Sequence, residues 1–166
     1  MLSRVKICNC SVHDFDDYYK LKCSYSDMYW NGFTQEPDRE MLFKIFEERI
    51  KYENKPYVEA KRIKGIYIEE HLIGYVQSTF CKNEIEIGIS ILDLYQDKGL
   101  GSEVLSVIAK EYKEYEQIVF ARIRDDNPRS RRVFEKNGFK AMPEYEEIYY
   151  PNVNSNIKLR RYELVK

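Results

Sequence analysis

The sequence has the length of one ordinary domain, and we expect residues 1–166 to form a single domain around one core. Lys and Arg total 27 against 28 for Asp and Glu, so no overall basic field favours nucleic acid as a partner. No stretch approaches the roughly 20 apolar residues of a membrane span and no signal-peptide pattern is present, which predicts a cytoplasmic protein without a membrane partner.

The cysteines and histidines give little support for metal or disulfide chemistry. The four cysteines form neither a zinc-binding spacing nor a secreted disulfide framework, so free thiols are expected. Only two histidines, His13 and His71, are present, which disfavours metal hydrolysis and histidine-based triads. We therefore expect no metal site.

The N-terminal part of the sequence predicts one short strand and two helices. The strand lies near Val5 to Cys8, and the first helix runs from about Asp14 to Tyr25. The second helix begins near Pro37, which suits a first helical turn, and its apolar residues recur at helical spacing. The segment SYSDMYWNGFTQ between the helices is predicted to be an aromatic loop.

Three β-rich stretches follow and predict an antiparallel meander. They run from Ile63 to Glu69, from Leu72 to Phe80 and from Glu84 to Leu92, with polar joints between them. The third stretch alternates strictly, which places its isoleucines on one face of the sheet.

Strands and helices alternate in the second half. A helix with one apolar stripe begins near Gly99, and IVFARI is a short buried strand. Asn127-Pro128 opens another helix, which Asn137-Gly138 ends. Two closing strands are expected at about Glu146 to Tyr150 and Lys158 to Val165.

The stretch YQDKGLGSEV places Gly99 and Gly101 where a strand gives way to a helix. The first N–H groups of a helix are unpaired and carry the positive end of its dipole, so such a turn binds anions. Glycines leave room for a diphosphate, while Gln96 and Lys98 add donors at the rim. Taken alone, the pattern fits tight packing of the helix on the sheet equally well. It lacks the Gly-Lys-Ser/Thr of a Walker loop and the third glycine of a dinucleotide-binding turn.

A second motif, DNPRSRRVFEKNGF, follows the next strand. With QDKGLG, in this order and at this spacing, it resembles the GNAT superfamily of acetyl-CoA-dependent N-acetyltransferases, in the branch of ribosomal-protein and aminoglycoside-type acetyltransferases. QDKGLG is similar to that family's (Gln/Arg)-x-x-Gly-x-(Gly/Ala) pyrophosphate loop. NPRSRRVFEKNGF is similar to its Asn-x-x-(Ala/Ser) helix ending in Glu-Lys-x-Gly-Phe. The best-matching part runs from about Ile63 to Phe139.

The resemblance implies an α/β (α+β) fold with a mixed, mostly antiparallel sheet of six or seven strands flanked by about four helices. The third meander strand and the strand IVFARI would splay apart, leaving a V-shaped slot. Acetyl-CoA would lie in this slot as cosubstrate, with no metal.

The resemblance also implies the positions that hold the cofactor. The end of the third meander strand would pair with the pantetheine arm, the loop amides would hold the pyrophosphate, and the later helix would border the cofactor. These positions are Ile91, Leu92, Asp93, Gln96, Asp97, Lys98, Gly99, Leu100, Gly101, Ser102, Asn127, Ser130 and Arg132. Arg131 is an alternative to Arg132 for the adenosine 3′-phosphate, and such a basic run is often simply a solvated helix face.

For catalysis, an amine must attack the thioester, an oxyanion forms and a thiolate leaves. The resemblance implies the backbone N–H near Leu92 as oxyanion donor and Glu86, in preference to Glu84, as the base. Both glutamates fit the solvent side of an alternating strand equally well. Where many family members carry a tyrosine as general acid, this sequence has Phe134, so Tyr95, Ser130 or water would protonate the thiolate. Tyr95 fits a packing role at least as well.

The acceptor pocket is implied at SYSDMYWNGFTQ and near Tyr149-Tyr150. Tyr29 and Trp30 would contact the acceptor together with Glu86, and Asp27 would attract a cation. Trp30 alternatively seals a small core. The acceptor is a small-molecule amine or a protein N-terminus, which the sequence does not rank, and the protein is a monomer or a homodimer.

The expected function is transfer of the acetyl group of acetyl-CoA to a primary amine by direct attack. A CoA-binding sensor without catalysis is the alternative, and Phe134 favours it. In a third possibility the glycines are architectural and the protein is an unrelated α/β binding domain.

Overall fold

The computed structural model describes residues 4–51 and 60–166. The strands in these ranges are β1 (Lys6–Asn9), β2 (Ala60–Ile68), β3 (His71–Phe80), β4 (Glu84–Ile91), β5 (Ile118–Arg124), β6 (Phe139–Tyr150) and β7 (Ser155–Leu164). The α-helices are α1 (Phe15–Lys22), α2 (Tyr25–Asn31), α3 (Arg39–Lys51), α4 (Leu100–Tyr112) and α5 (Pro128–Lys136). Within the described ranges, no helix is long and apolar enough to cross a bilayer.

All seven strands belong to one sheet in the order β1-β2-β3-β4-β5-β7-β6. Every neighbouring pair is antiparallel except β4 and β5, which run parallel. The predicted mixed, mostly antiparallel sheet and its meander are therefore confirmed. The first closing strand begins at Phe139 rather than near Glu146, so it is longer than predicted.

The two central strands separate soon after they meet. β4 and β5 pair only where Glu84 to Glu86 lie beside Ile118 to Phe120. Beyond these three residue pairs the strands diverge, and the gap between them is the V-shaped slot that the sequence predicts. A diverging pair leaves backbone groups of both strands without ladder partners, and these are available to a ligand.

Helices cover both faces of the sheet. α4 and α5 lie on one face, where Val104, Ile108 and Phe134 pack with the β4 isoleucines Ile85 and Ile87. α1 and α3 cover the other face through a second core cluster that includes Tyr18, Phe46 and Tyr75. The strict alternation of β4 explains this division, because successive side chains point to opposite faces.

The segment SYSDMYWNGFTQ is not the predicted loop, because most of it forms helix α2. The side chain of Ser24 caps the helix start by accepting a hydrogen bond from the N–H of Asp27 at 3.4 Å. Gly32 ends the helix with φ +79°, and a Cβ there would lie 2.6 Å from the Tyr150 ring. A serine before and a glycine after a short stretch are helix boundary signals that the aromatic composition obscured.

Candidate active site

A cleft of about 510 Å³ occupies the gap between β4 and β5 and extends to α2 and to the starts of α4 and α5. It brings together most of the positions predicted to hold the cofactor. Those that line it are Ile91, Gln96, Asp97, Gly99, Leu100, Gly101, Ser102, Asn127 and Ser130. The other four predicted positions, Leu92, Asp93, Lys98 and Arg132, lie outside its lining.

The glycine turn is shaped as an open cradle. Gly99 adopts φ +78° as the residue before α4, a conformation that favours glycine. At Gly101, an added Cβ would only reach van der Waals contact with Ile91 Cδ1 at 3.7 Å. Packing within the chain therefore does not require glycine at 101, whereas a ligand approaching the helix amides does.

Gln96 holds the turn through its side chain. Its Nε2 donates to the carbonyl oxygen of Ile91 at 2.7 Å and to Ser26 Oγ at 2.9 Å. Its Oε1 accepts a hydrogen bond from Arg129 Nη2 at 2.5 Å. The side chain expected at the rim as a ligand donor thus connects β4, α2 and α5.

Arg129 is the arginine that α5 directs at the turn. Its Nη1 lies 3.3 Å from both carboxylate oxygens of Asp97, a residue with φ +59°. Arg131 instead donates to Tyr162 and to the carbonyl of Asp125, and Arg132 is exposed outside the cleft lining. The run RSRR does not show which arginine faces the turn, because that depends on the rotation of α5 about its axis.

Two predicted cofactor positions already have partners within the protein. Asn127 caps α5, with its side chain accepting from the N–H of Ser130 at 3.1 Å. The hydrogen bond fixes the start of α5 at the edge of the cleft. Ser102 Oγ accepts from Asn137 Nδ2 at 3.0 Å and so links α4 to α5.

The N–H of Leu92, near which the oxyanion donor was predicted, is already paired within the protein. Its N–H donates to the carbonyl of Ile73 at 2.8 Å, within the β3–β4 ladder. Backbone groups alternate sides along a strand, so Glu84, Glu86, Gly88 and Ser90 also face β3. The odd-numbered residues face β5, and beyond the parallel pairing the N–H groups of Ile89 and Ile91 point into the slot. The free donors therefore lie one and three residues before Leu92.

Glu86 lines the cleft in a bidentate ion pair. Arg122 donates to its two carboxylate oxygens at 2.7 and 3.1 Å and also reaches Glu146 at 3.0 Å. The hydrogen bond that Arg122 donates to Glu86 raises the pKa of Arg122. Both carboxylate oxygens are thus occupied by Arg122, so a role for Glu86 as base requires this pair to open.

Phe134 and Tyr95 both line the cleft. Phe134 is buried and packs edge-on against Phe139, with 5.0 Å between ring centroids. Tyr95 is half-buried, packs against the core, and has Lys98 Nζ 5.5 Å from its ring centroid. Among the described residues, the Tyr95 hydroxyl has no hydrogen-bond partner, which leaves it available to a ligand.

Arg124 organises the aromatic wall of the cleft. Its guanidinium lies 5.3, 5.0 and 4.4 Å from the ring centroids of Tyr29, Trp30 and Tyr150. It also pairs with both oxygens of Asp126, which lowers the pKa of that carboxyl group. Trp30 lines the cleft, whereas Tyr29 lies outside the lining. The rings expected to contact the acceptor therefore already contact a buried cation of the protein.

Helix α2 bridges the two arms of the V. On the β4 side, Ser26 bonds with Gln96. On the β5 side, the carbonyl of Tyr29 accepts from Arg124 at 3.2 Å and from Asn152 at 2.8 Å. The helix therefore closes one side of the cleft between the two strands.

Asp27 is buried at the centre of this bridge. Its Oδ1 accepts from Tyr75 Oη at 2.6 Å and from Ser90 Oγ at 2.8 Å, and its Oδ2 lies 2.6 Å from Lys22 Nζ. Burial and the Asp27 charge raise the pKa of Tyr75 well above its ordinary value. Since Lys22 neutralises Asp27, this carboxylate is not a free site for an acceptor cation.

In the described part of the chain, no group of three or more His, Cys, Asp or Glu residues is arranged to hold a metal ion.

Comparison with protein families decides between the functions considered above. A family model described as an acetyltransferase (GNAT) domain matches residues 4–140. The chain belongs to the GNAT acetyltransferase family. The resemblance carried by the two glycine-containing motifs is thereby confirmed, and the third possibility, an unrelated α/β domain, is excluded. A search of curated protein sequences finds no significant match.

Solved structures share the fold of this GNAT domain. RimL, a ribosomal alpha-N-protein acetyltransferase in complex with coenzyme A, has a TM-score of 0.83 at 14% identity, with 99% of this chain and 95% of RimL covered. Spermidine N-acetyltransferase from Vibrio cholerae, with CoA and spermine, has a TM-score of 0.79 at 16% identity and coverages of 97% and 95%. AAC(6')-Ib in complex with paromomycin and acetyl-CoA has a TM-score of 0.73 at 15% identity and coverages of 96% and 93%.

Proposed function

We propose that this GNAT acetyltransferase transfers the acetyl group of acetyl-CoA directly to a primary amine of a small molecule or a protein N-terminus. The observation that carries the proposal is the cleft between the diverging strands β4 and β5. The glycine turn at the start of α4 and helix α2 both line this cleft. One slot could therefore hold the cofactor and the acceptor together.

The cofactor would lie along β4 with its phosphates at the turn. The N–H groups of Ile89 and Ile91 are available to the pantetheine arm as if it were an added strand, whereas the Ile91 carbonyl already accepts from Gln96. The amides at Gly99, Leu100 and Gly101 would take the pyrophosphate, with the dipole of α4 behind them. Arg129 would move from Asp97 to the pyrophosphate, because the pyrophosphate carries two negative charges and the carboxylate one.

The chemical step needs alignment, polarisation of the carbonyl and proton transfer. The amine nitrogen forms a bond to the thioester carbon, the carbonyl oxygen becomes an oxyanion, and collapse of this intermediate breaks the C–S bond. A backbone N–H of Ile89 or Ile91 would stabilise the oxyanion. Tyr95 would give its proton to the leaving thiolate, and Glu86, released from Arg122, would take the proton that the amine loses.

The acceptors of structural neighbours support an amine as the acceptor class. RimL is a protein alpha-N-acetyltransferase, the Vibrio cholerae protein acts on spermidine, and AAC(6')-Ib binds paromomycin. In this chain, the carboxylates lining the acceptor side, Asp27 and Glu86, are each paired with a basic residue of the protein. An acceptor with one amine fits such a neutralised wall better than a polyamine does.

The test is thermal melting of the purified protein with acetyl-CoA, CoA or ATP, followed by thiol release over a panel of primary amines and N-terminal peptides. A shift in Tm with acetyl-CoA and CoA but not ATP, and thiol release with an amine, are expected. A shift without thiol release from any acceptor would instead support the sensor function that Phe134 favours. No shift with either CoA compound would contradict both functions.

A further inference from the structure

Asp27 is the one carboxylate that is buried among the described residues, and it faces the cleft. Its side chain has no solvent exposure. One oxygen, Oδ1, accepts two hydroxyl hydrogens, from Tyr75 and from Ser90. The other, Oδ2, forms an ion pair with Lys22 but lacks the alignment of a hydrogen bond. Burying a charge costs desolvation energy, which the ion pair and the two hydroxyl hydrogen bonds repay only in part.

The carboxylate determines which way the Ser90 hydroxyl points. A serine hydroxyl has one hydrogen and two lone pairs, and its hydrogen rotates toward the strongest acceptor nearby. Ser90 Oγ lies 2.8 Å from Asp27 Oδ1, and a carboxylate oxygen accepts, so Ser90 is the donor. The lone pairs of Ser90 are then turned away from Asp27. Ser90 therefore presents a hydrogen-bond acceptor to the cleft that it lines.

Ser90 lies where an amine must pass to reach a thioester on β4. It is between Ile89 and Ile91, whose N–H groups point into the slot. Its side chain is on the α2 face of the sheet, where Trp30, Tyr75 and Gln77 also line the cleft. An attacking amine must direct its lone pair at the carbonyl carbon, which leaves its hydrogens for acceptors on the protein.

We propose that Ser90, held by Asp27 with its lone pairs toward the cleft, accepts a hydrogen bond from the acceptor's amine and so orients the nitrogen for attack. This inference rests on the proposed acetyl transfer to an amine. Ser90 contacts the substrate, and Asp27 is a positioning residue that acts through it. Tyr75, whose hydroxyl also donates to Asp27 Oδ1, helps to hold the carboxylate in place.

Asp27→Asn offers a test that keeps the size of the side chain. Beside the Lys22 ammonium, the new amide turns its carbonyl oxygen to Lys22 and its NH₂ group to Ser90. Ser90 then accepts a hydrogen bond from that NH₂ group in place of donating one, and its own hydrogen turns into the cleft. The substitution thus reverses the polarity that Ser90 presents to an amine, without removing the hydroxyl.

The experiment measures steady-state kinetics and acetyl-CoA affinity for the intact chain and for Ser90→Ala, Asp27→Asn and the double variant. The acceptor probes are spermidine, ribostamycin and a short peptide with an N-terminal serine, and the probe used is the one that the unaltered protein acetylates. Ser78→Ala is the matched control, because Ser78 is a buried β3 hydroxyl that bonds with Tyr112 outside the cleft lining.

We expect each single variant to raise the KM for the amine about 5- to 50-fold, the range of one hydrogen bond to a charged or neutral group. Acetyl-CoA affinity stays within about twofold, and Ser90→Thr, which keeps the hydroxyl, recovers most of the loss. The double variant should be no worse than the more impaired of the two single variants, because Asp27 acts through Ser90.

Two results would overturn the proposal while leaving acetyl transfer intact. One is an unchanged KM for the amine in Ser90→Ala. The other is a double variant in which the two increases in KM add fully, which would mean that Asp27 acts independently of Ser90. If the unaltered protein binds acetyl-CoA but acetylates none of the probes, the amine acceptor itself is wrong and the inference falls with it. Loss of acetyl-CoA binding in both single variants, but not in Ser78→Ala, would also contradict it.

Discussion

Gln96 and Ser26 are joined by a hydrogen bond of 2.9 Å between Nε2 and Oγ, which links the cofactor turn to the helix that walls the acceptor side. The same amide nitrogen bonds to the Ile91 carbonyl on β4 at 2.7 Å. One side chain therefore fixes the separation between the strand on which a thioester would lie and the helix α2 that an acceptor would contact. The proposed cofactor and acceptor sites are thus connected through the side-chain amide of Gln96.

Gln96→Ala should weaken both halves of the site. Without the amide, the turn loses its bonds to β4, α2 and Arg129, so we expect KM for acetyl-CoA and for the amine each to rise about 5- to 20-fold. Steady-state kinetics with each substrate varied in turn gives both values. Gln35→Ala, an exposed position outside the cleft, is the control. A change in only one KM would show that the two sites are not connected through Gln96.

Gly101→Leu should prevent acetyl-CoA from binding while the fold is retained. The Cβ of a new side chain meets only Ile91 at 3.7 Å, but the rest of the leucine fills the space over the first amides of α4. Calorimetric titration with acetyl-CoA should show an affinity lowered at least about 100-fold, and the Tm should change little. Ser106→Leu adds the same side chain at an exposed position of the same helix. If the Gly101→Leu variant bound acetyl-CoA as tightly as the unaltered protein does, the glycine turn would not be the pyrophosphate site.

The arginines of α5 allow the phosphate contact to be assigned. Arg129 bonds with Gln96 and Asp97 at the turn, whereas Arg132 is exposed outside the cleft lining. We expect Arg129→Ala to weaken CoA binding about 10-fold, the effect of one charged hydrogen bond, and Arg132→Ala to change it less than about twofold. Affinities for CoA and 3′-dephospho-CoA measure this. A loss of affinity that occurs only in the Arg132→Ala variant, and for CoA but not for 3′-dephospho-CoA, would contradict this. It would support the contact between Arg132 and the 3′-phosphate that the resemblance implies.

Much of the fold could be predicted from the spacing of apolar residues and from the residues that begin and end helices and strands. The alternating isoleucines of β4, the apolar stripe of α4 and the Asn-Pro start of α5 are local signals, and each element was predicted where it occurs. Helix α2 was missed because its seven residues are too few to show a periodic pattern. Its capping residues, Ser24 and Gly32, carried the signal instead.

The site was predictable wherever it depends on a local motif and not where it depends on distant contacts. The turn around Gly99 and Gly101 is a motif of neighbouring residues. The pairing of Glu86 with Arg122, and of Arg124 with three aromatic rings, joins residues far apart in sequence, so no spacing reveals it. The pairing of the Leu92 N–H with Ile73 was likewise not evident from the sequence, because backbone direction along β4 is set by its register with β3.

Tyr95→Phe tests whether this hydroxyl protonates the leaving thiolate. The ring packs against the core and lies beneath Lys98, and phenylalanine keeps both contacts. We expect kcat to fall about 10- to 100-fold with the affinity for acetyl-CoA unchanged, because only proton transfer is lost. Tyr115→Phe, also packed against the core but outside the cleft lining, is the control. An unaltered kcat would assign the proton to Ser130 or to water.

The buried tyrosines predict how the protein responds to alkali. Burial and the Asp27 charge raise the pKa of Tyr75 well above its ordinary value of 10, and burial raises the pKa values of Tyr18 and Tyr112 to about 12. A group whose pKa is raised on folding stabilises the protein below the pKa of the unfolded state and ceases to do so as the pH rises through the folded value. The folded state should therefore lose stability steadily above about pH 10.

We expect tyrosinate absorbance at alkaline pH to appear in two stages. The first stage should leave the circular dichroism unchanged, because it does not require a buried group to become charged. The buried tyrosines should ionise later, in one step that coincides with loss of the secondary-structure signal, because the phenolate of Tyr75 cannot remain beside Asp27 in the core. Tyr75→Phe should shift this step to higher pH, although loss of the hydrogen bond to Asp27 costs about 1 kcal/mol at neutral pH. Full ionisation of all tyrosines near pH 10 without unfolding would show that Tyr75 is accessible to solvent and that the buried network around Asp27 is open.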